Sequence, residues 1–248
     1  MNYLGHSWIA LKSTNRNDSL LIAGSHIPDL VPFVPNSVFS FDEIHESGDL
    51  FLKYLRKNHP ESISLALGMM SHSVKYGADQ FNPQIDQMLK LDEAATNELG
   101  RSIADASHLS YEKGKVHRLH NFLWTGIELY LSKDKHFLKE LDVLNRGVDT
   151  DEVSQLLSEF FGKDFKKVNQ EVNYFLSKTS KVAKNRFELA QQWADVAAGL
   201  PEKDKVDVKK TAILIETIYT KFANQWPGLL NQVLSTVKTN MEPFLSSQ

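Results

Sequence analysis

Residues 164–178 read Asp-Phe-Lys-Lys-Val-Asn-Gln-Glu-Val-Asn-Tyr-Phe-Leu-Ser-Lys, and this stretch shows the pattern that dominates the chain. Its apolar residues Phe165, Val168, Val172 and Phe175 are spaced three or four apart, with charged and amide side chains between them. That spacing places the apolar side chains on one face of an α-helix. The stretch therefore predicts an amphipathic helix that packs one face against a core.

Similar segments recur along the whole chain, separated by Pro, Gly or Asn, and no run alternates strictly between apolar and polar residues. The predicted helices are 5–14, 42–58, 62–80, 84–106, 113–132, 134–145, 151–161, 164–178, 181–198, 206–225 and 227–243. Prolines fall near their ends, where a missing backbone N–H costs little, at Pro60, Pro83, Pro201, Pro227 and Pro243. The predicted fold class is all-α, a multi-helix bundle.

The composition predicts a folded, soluble protein of 248 residues, with 42% hydrophobic residues and a net charge of −3. This slightly acidic balance argues against binding to double-stranded nucleic acid, which needs a basic surface. The absence of cysteine excludes disulfides, thiolate catalysis and Cys-based zinc sites, so any metal must be held by His and carboxylates. No secretory signal and no membrane-spanning apolar run is visible, which predicts a cytoplasmic protein without a transmembrane segment.

The histidines divide the chain. We predict one all-helical domain over 1–248, with a metal-site half at 1–136 and a helical packing half at 150–248. All nine histidines precede the composition change at 147–150, at positions 6, 26, 45, 59, 72, 108, 117, 120 and 136. The segment 25–36 contains three prolines and predicts an ordered loop, which is where binding residues often lie.

Two pairs in the first half have spacings that permit metal binding. His117 and His120 are three apart, so a helix would place both rings on one face, where they could share a divalent ion; chance exposure of two polar residues is the alternative. His72 and Asp79 are seven apart, about 10 Å along a helix, which predicts that they serve different ions. Lys75 lies between them and is a candidate contact for a phosphate group.

Three further residues of the first half, two acidic and one histidine, are candidates for the site or its surroundings. Asp29 follows Pro28, so its carboxylate is fixed on stiff backbone, although Asp also often caps or turns a chain. His45 has Glu46 and Asp49 nearby, and a solvated helix face is the alternative interpretation there. Glu128 lies about 12 Å beyond His120 on a helix, too far to share its ion.

The order of these residues resembles that in the zinc-dependent phospholipase C superfamily, which also contains single-strand-specific nucleases. The resemblance covers about residues 1–130 and rests on four motifs: Gly5-His6-Ser7-Trp8-Ile9, Gly24-Ser-His-Ile-Pro-Asp29, Leu67-Gly68-Met-Met-Ser-His72 and His117-Arg-Leu-His120-Asn-Phe122. The chain departs from the family at two carboxylate positions, where Tyr76 replaces Asp in His-x-x-x-Asp and Trp124 replaces Glu in His-x-x-x-Glu.

The resemblance implies a phospholipase C-like bundle with one to three zinc ions. Its implied ligands are His6, Asp29, His45, His72, Asp79, His117 and His120. The implied activity is hydrolysis of a phosphodiester by a metal-activated water, from which Asp29 could take the proton. The implied substrate is a small phosphoester or a phospholipid headgroup.

Other functions remain open. Tyr76 and Trp124 favour a catalytically degenerate binding or interaction protein that kept the scaffold and lost the metals. The start Met1-Asn-Tyr-Leu-Gly-His6 is similar to that of acyl carrier protein phosphodiesterases, which would imply a phosphopantetheine diester as substrate. A helical phosphohydrolase of the His-Asp type is disfavoured, because no adjacent His-Asp pair occurs in the sequence.

Overall fold

The computed structural model describes residues 3–198 and 205–245, and within these ranges the chain forms helices and no strand. The α-helices are α1 (Tyr3–Thr14), α2 (Ser19–His26), α3 (Leu30–Phe33), α4 (Phe41–Glu46), α5 (Gly48–Asn58), α6 (Ile63–His72), α7 (Ile85–Met88), α8 (Glu93–Ser107), α9 (Leu119–Leu131), α10 (Lys135–Arg146), α11 (Thr150–Phe161), α12 (Phe165–Thr179), α13 (Arg186–Ala197), α14 (Val208–Lys221) and α15 (Trp226–Leu245). Shorter 3₁₀ helices are Ile27–Asp29, Pro60–Ser62 and Ala78–Gln84, and Lys113–Arg118 is a π-helix. The predicted all-α class is confirmed.

Three helices of the second half, α11, α12 and α15, begin and end within two residues of their predicted bounds. The helix predicted at 181–198 begins only at Arg186, and the one predicted at 206–225 ends at Lys221.

Helix starts in this half are fixed by side chains that accept hydrogen bonds from the N–H groups of the first turn, such as Asp164 before α12 and Asp207 before α14. Gly162 ends α11 in the left-handed conformation that glycine adopts without strain. Pro201 and the first two residues of the Met1–His6 motif lie outside the described residues.

Several helix boundaries predicted for the first half were wrong, because the helices there are shorter and more interrupted than expected. The predicted helix 42–58 is broken at Ser47 into α4 and α5, and 84–106 is split between α7 and α8. The predicted helix 62–80 ends at His72. The predicted loop at 25–36 instead continues from α2 into a 3₁₀ turn and the short helix α3.

Helix α2 was not predicted at all, because it has no polar face to give a periodic pattern. Every residue from Leu21 to His26 is buried, as is all of α6. The two helices pack so closely that a Cβ on Gly68 would lie 2.3 Å from the carbonyl oxygen of Leu21. This contact brings the end of α2 beside the end of α6, where the candidate site lies.

Side chains from both predicted halves share the main hydrophobic core, for example Leu21 and Phe51 with Val168 and Val237. Helix α1 packs against α15, and α12 contacts both α2 and α3. The second half therefore supports the helices that carry the histidines. The division of a single domain into halves at 136 and 150 stays a prediction.

Among the described helices, none combines the length and the apolar character that crossing a membrane requires.

Candidate metal centre

The turn after α6 creates the site. The chain leaves the helix at Ser73 and returns through Gly77 into the 3₁₀ helix Ala78–Gln84. Only glycine fits at position 77, because a Cβ there would lie 2.3 Å from the carbonyl carbon of Ser71. The reversal places Asp79 Oδ2 3.3 Å from His72 Nε2. The prediction that these residues lie about 10 Å apart and serve different ions was therefore wrong, because it assumed an unbroken helix.

Three imidazoles surround the Asp79 carboxylate. His6 of α1 places Nε2 3.5 Å from Asp79 Oδ1, and His45 of α4 places Nε2 3.9 Å from Oδ2. Asp29, at the end of its 3₁₀ turn, brings Oδ1 within 3.8 Å of His72 Nε2. Five residues from distant parts of the sequence thus converge, and we call this group the His/Asp cluster.

The orientation of His72 is fixed by the backbone. Its Nδ1 lies 2.7 Å from the carbonyl oxygen of Ser25, and because a carbonyl only accepts, Nδ1 carries the hydrogen. The ligand nitrogen Nε2 therefore faces the cluster. The ring of His6 stacks on that of His72 with 3.7 Å between centroids, which limits the rotation of both.

Four buried atoms of the cluster residues have no aligned hydrogen-bond partner among the described residues, namely His6 Nδ1, Asp29 Oδ2, His45 Nδ1 and His72 Nε2. Of these, His72 Nε2 lies within ion-pair distance of Asp79 Oδ2 and Asp29 Oδ1, at 3.3 and 3.8 Å. Leaving such atoms unpaired is costly. A divalent cation would give His72 Nε2 a partner once its proton is lost, and ligands about 2.0–2.2 Å from zinc lie roughly 3.3 Å apart in a tetrahedral site. The observed spacings of 3.3 to 3.9 Å fit this requirement.

The charges of His6, His45 and Asp79 suit a cation, whereas His72 must lose a proton before it can bind one. Burial, reinforced by His72, lowers the pKa of His45 to about 3, and burial also lowers that of His6, so both rings are neutral at pH 7. Burial opposes the charge on Asp79, but His72 outweighs it and holds the pKa of this carboxyl below its usual range. Burial disfavours charge on His72 too, yet Asp79 and Asp29 raise its pKa to about 9.

A cavity of about 210 Å³ opens beside the cluster. Its wall on the cluster side consists of His6, Asp29, His45 and Asp79. The remaining lining residues are Phe41, Ala78, Asn82, His120, Asn121 and Trp124. Phe41 is 46% exposed and stacks on the ring of His45 with 3.8 Å between centroids. The cavity therefore joins candidate metal ligands to aromatic and amide side chains.

The predicted pair His117 and His120 is not brought together on one face. His120 lines the cavity and is partly buried, whereas His117 is exposed. His117 lies in the π-helix, whose wider turn changes the angular offset that an α-helix would give. Neither belongs to the groups of closely spaced ligand atoms, which are His6, Asp29 and His72, and His45, His72 and Asp79.

Two other residues considered in the sequence lie apart from the cavity lining. Lys75 is exposed, and its ammonium lies 2.9 Å from Asp49, which also accepts a hydrogen bond from Tyr76. Glu128 is buried and accepts a hydrogen bond from the backbone N–H of Leu4, and burial raises its pKa to about 8. Glu128 therefore supports the start of α1, which carries His6.

Sequence reasoning missed Phe41, Asn82 and Asn121 as cavity residues, and Trp124 lines the cavity while belonging to the buried core. The indole nitrogen of Trp124 donates to Asn82 Oδ1 over 2.6 Å. Asn82 follows Asp79 by three residues, and in a 3₁₀ helix residues three apart share a face. That spacing would have indicated Asn82 if the 3₁₀ helix had been predicted.

Comparisons with protein-family models, curated proteins and solved structures found no match for this chain. What the fold and the site define is an all-helical protein with a buried His/Asp cluster facing a small cavity. The likeness to zinc-dependent phospholipases C stays a prediction from the sequence motifs.

Proposed function

We propose that this protein is a metal-dependent phosphoester hydrolase of phospholipase C-like chemistry. The observation that carries the proposal is the convergence of three imidazoles and two carboxylates at ligand spacing, together with buried atoms that lack aligned hydrogen-bond partners among the described residues. A structural role alone does not account for such a group, because buried polar side chains are normally paired.

The His/Asp cluster would hold one tightly bound zinc ion. Its two groups of closely spaced ligand atoms share His72, and His72 has only Nε2 available, since Nδ1 is bonded to Ser25. One nitrogen serves one ion, so the two groups cannot each hold an ion through His72. When bound, zinc lowers the pKa of a coordinated water and offsets phosphoryl charge.

Asp29 is the proposed proton acceptor. Its Oδ1 faces His72, while Oδ2 has no hydrogen-bond partner among the described residues. Burial raises the pKa of this carboxyl, with His72 acting in the opposite direction, and a raised pKa makes a carboxylate a better base. Asp29 also lines the cavity, where a substrate would lie.

The size of the cavity supports a small substrate. A volume of about 210 Å³ accommodates a phosphoryl group with a small alcohol, such as the headgroup of a phospholipid. Lys75 is not assigned to the phosphate, because its ammonium is already paired with Asp49. A phosphopantetheine diester remains a possible substrate on the sequence motif alone.

A second candidate function is metal binding without catalysis. The family carboxylate positions are occupied by Tyr76 and Trp124, and both have other partners here, Asp49 and Asn82. Such a protein would bind zinc and hydrolyse nothing.

Metal analysis followed by activity assays tests the proposal. The purified protein should retain about one zinc per chain, and the zinc-loaded protein should hydrolyse members of a panel of phosphodiesters and phosphomonoesters. His72→Ala should abolish both properties, whereas His117→Ala is the matched control and should retain both. Stoichiometric zinc without any hydrolysis would favour the binding protein, and a protein that takes up no divalent ion would refute both.

A further inference from the structure

The contact between Trp124 and Asn82 links the two sides of the cavity. Trp124 belongs to α9 and is 5% exposed, and Asn82 lies in the 3₁₀ helix that also carries Asp79. The indole Nε1 lies 2.6 Å from Asn82 Oδ1, and both residues line the cavity. A short bond to a buried ring holds the amide plane in one orientation.

The direction of this hydrogen bond settles which end of the amide is free. An indole N–H can only donate, so the amide atom that faces it must be the oxygen. The Nδ2 group, with two hydrogens, then points away from the indole. In the described ranges, no hydrogen bond from Asn82 Nδ2 to another protein group is found. A half-buried amide donor at a cavity wall is thus left for a ligand.

Asn82 lines the same cavity as four residues of the His/Asp cluster, so its amide donor is placed to contact a ligand bound there. Asp79 and Asn82 are three residues apart in the same 3₁₀ helix, so their side chains share a face of it. Asp79 contributes its carboxylate oxygens to the cluster, and Asn82 presents its amide N–H groups beside it. A phosphoryl group that contacts a cation at the cluster has further oxygens, which need hydrogen-bond donors.

We propose that Asn82 Nδ2 donates a hydrogen bond to a phosphoryl oxygen of the ligand, and that Trp124 is the positioning residue that orients this amide. The proposal rests on the proposed function for the identity of the ligand. It gives Trp124 a role at the position where the family pattern has a carboxylate: the indole contributes to the anion side of the site and not to metal binding.

Binding of inorganic phosphate to the zinc-loaded protein, measured by titration calorimetry, tests the proposal. A hydrogen bond to a charged group is worth about ten-fold to a hundred-fold in affinity, so Asn82→Ala should weaken phosphate binding by that factor. Asn82→Asp keeps the size and the bond from Trp124 but removes the donor, and it should weaken binding at least as much. Gln84→Ala, an exposed change in the same 3₁₀ helix, is the matched control and should bind phosphate normally.

The role of Trp124 is tested by a double-mutant cycle. Trp124→Phe keeps an aromatic ring in the cavity wall and removes the indole donor, and it should weaken phosphate binding less than Asn82→Ala does. In the Asn82→Ala background, Trp124→Phe should have no further effect, because its influence passes through the amide. An additive loss would overturn the positioning role. Zinc content and melting temperature, measured on every variant, separate this effect from unfolding.

The outcomes distinguish this proposal from the proposed function. If the protein hydrolyses no phosphoester but Asn82→Ala loses phosphate affinity while Gln84→Ala does not, the proposed function fails and the assignment of Asn82 stands. If the protein hydrolyses phosphoesters and both Asn82 variants bind phosphate as tightly as the unaltered chain, the assignment of Asn82 is overturned alone. Absence of phosphate binding to the zinc-loaded, unaltered protein also overturns it.

Discussion

The two halves of this molecule differ in the polar residues that they bury. In residues 3–136, four histidines are buried in or beside the core, namely His6, His26, His45 and His72. In residues 150–198 and 205–245, the buried polar residues are Ser and Thr, and the core is aliphatic and aromatic. Buried imidazoles and carboxylates cost stability unless they are paired, so the first half carries the candidate chemistry and the second half supplies packing that supports it.

Neutralising one carboxylate in each half should give the largest difference between the halves, and that difference is in zinc affinity. We expect Asp79→Asn to reduce zinc affinity by about 100-fold or more, because three imidazole nitrogens face this carboxylate. Asp195→Asn, an exposed change in α13, should leave zinc affinity unchanged. Competition with a chromophoric chelator measures the zinc affinity of both variants. Equal affinities would show that Asp79 is not a zinc ligand.

Two glycines provide a stability comparison. Gly68→Ala should destabilise the protein by about 1–3 kcal/mol, because the new Cβ would lie 2.3 Å from the carbonyl oxygen of Leu21. Gly228→Ala in α15 meets open space and should stabilise the protein by about 0.5–1 kcal/mol through helix propensity. Denaturant unfolding measures both changes. If Gly68→Ala is as stable as the unaltered chain, the close packing of α2 on α6 is contradicted.

His72 should contribute to the pH dependence of stability in the metal-free protein. Its folded pKa of about 9 lies above the ordinary value of 6.5, so its ion pair contributes stability that is complete below pH 6.5 and is lost as the pH rises through 9. Zinc must displace this proton, and at pH 7.5 its binding should release about one proton per chain. Calorimetry in buffers of different ionisation enthalpy counts the protons, and no release would show that His72 is not a ligand.

The smallest effect should come from a helix cap in the second half. Asp164→Ala removes the side chain that accepts the N–H of Lys167, which should cost about 1 kcal/mol of unfolding free energy. Zinc binding should not change, because this cap lies in the packing half. A simultaneous loss of zinc would show that the two halves do not divide their roles as described.

The same contrast explains how much could be predicted from the sequence. In the second half, helices with one polar face and Asp or Asn caps give regular patterns, and the predicted 164–178 differs from the observed Phe165–Thr179 by one residue at each end. In the first half, α2 and α6 are buried on all sides, so periodicity could not locate α2 or show where α6 ends. The all-α class followed from pattern alone, whereas the breaks did not.

The candidate site was predictable in its residue types but not in its geometry. His6, Asp29, His45 and His72 were proposed from motifs, and the structure brings them together with Asp79. The distance from His72 to Asp79 depends on the turn at Gly77, which is fixed by backbone contacts with Ser71 that a single sequence does not reveal. The exposure of His117 depends in the same way on a π-helix.

The central claim is that a single zinc ion binds to the residues of the His/Asp cluster. Crystals of the zinc-loaded protein, with anomalous diffraction recorded at the zinc edge, test it most directly. The account predicts a single strong peak within bonding distance of His6, His45, His72 and Asp79, with Asp29 beside it. A peak elsewhere, for instance at His117, or a cluster with no peak in crystals soaked with zinc, would contradict it.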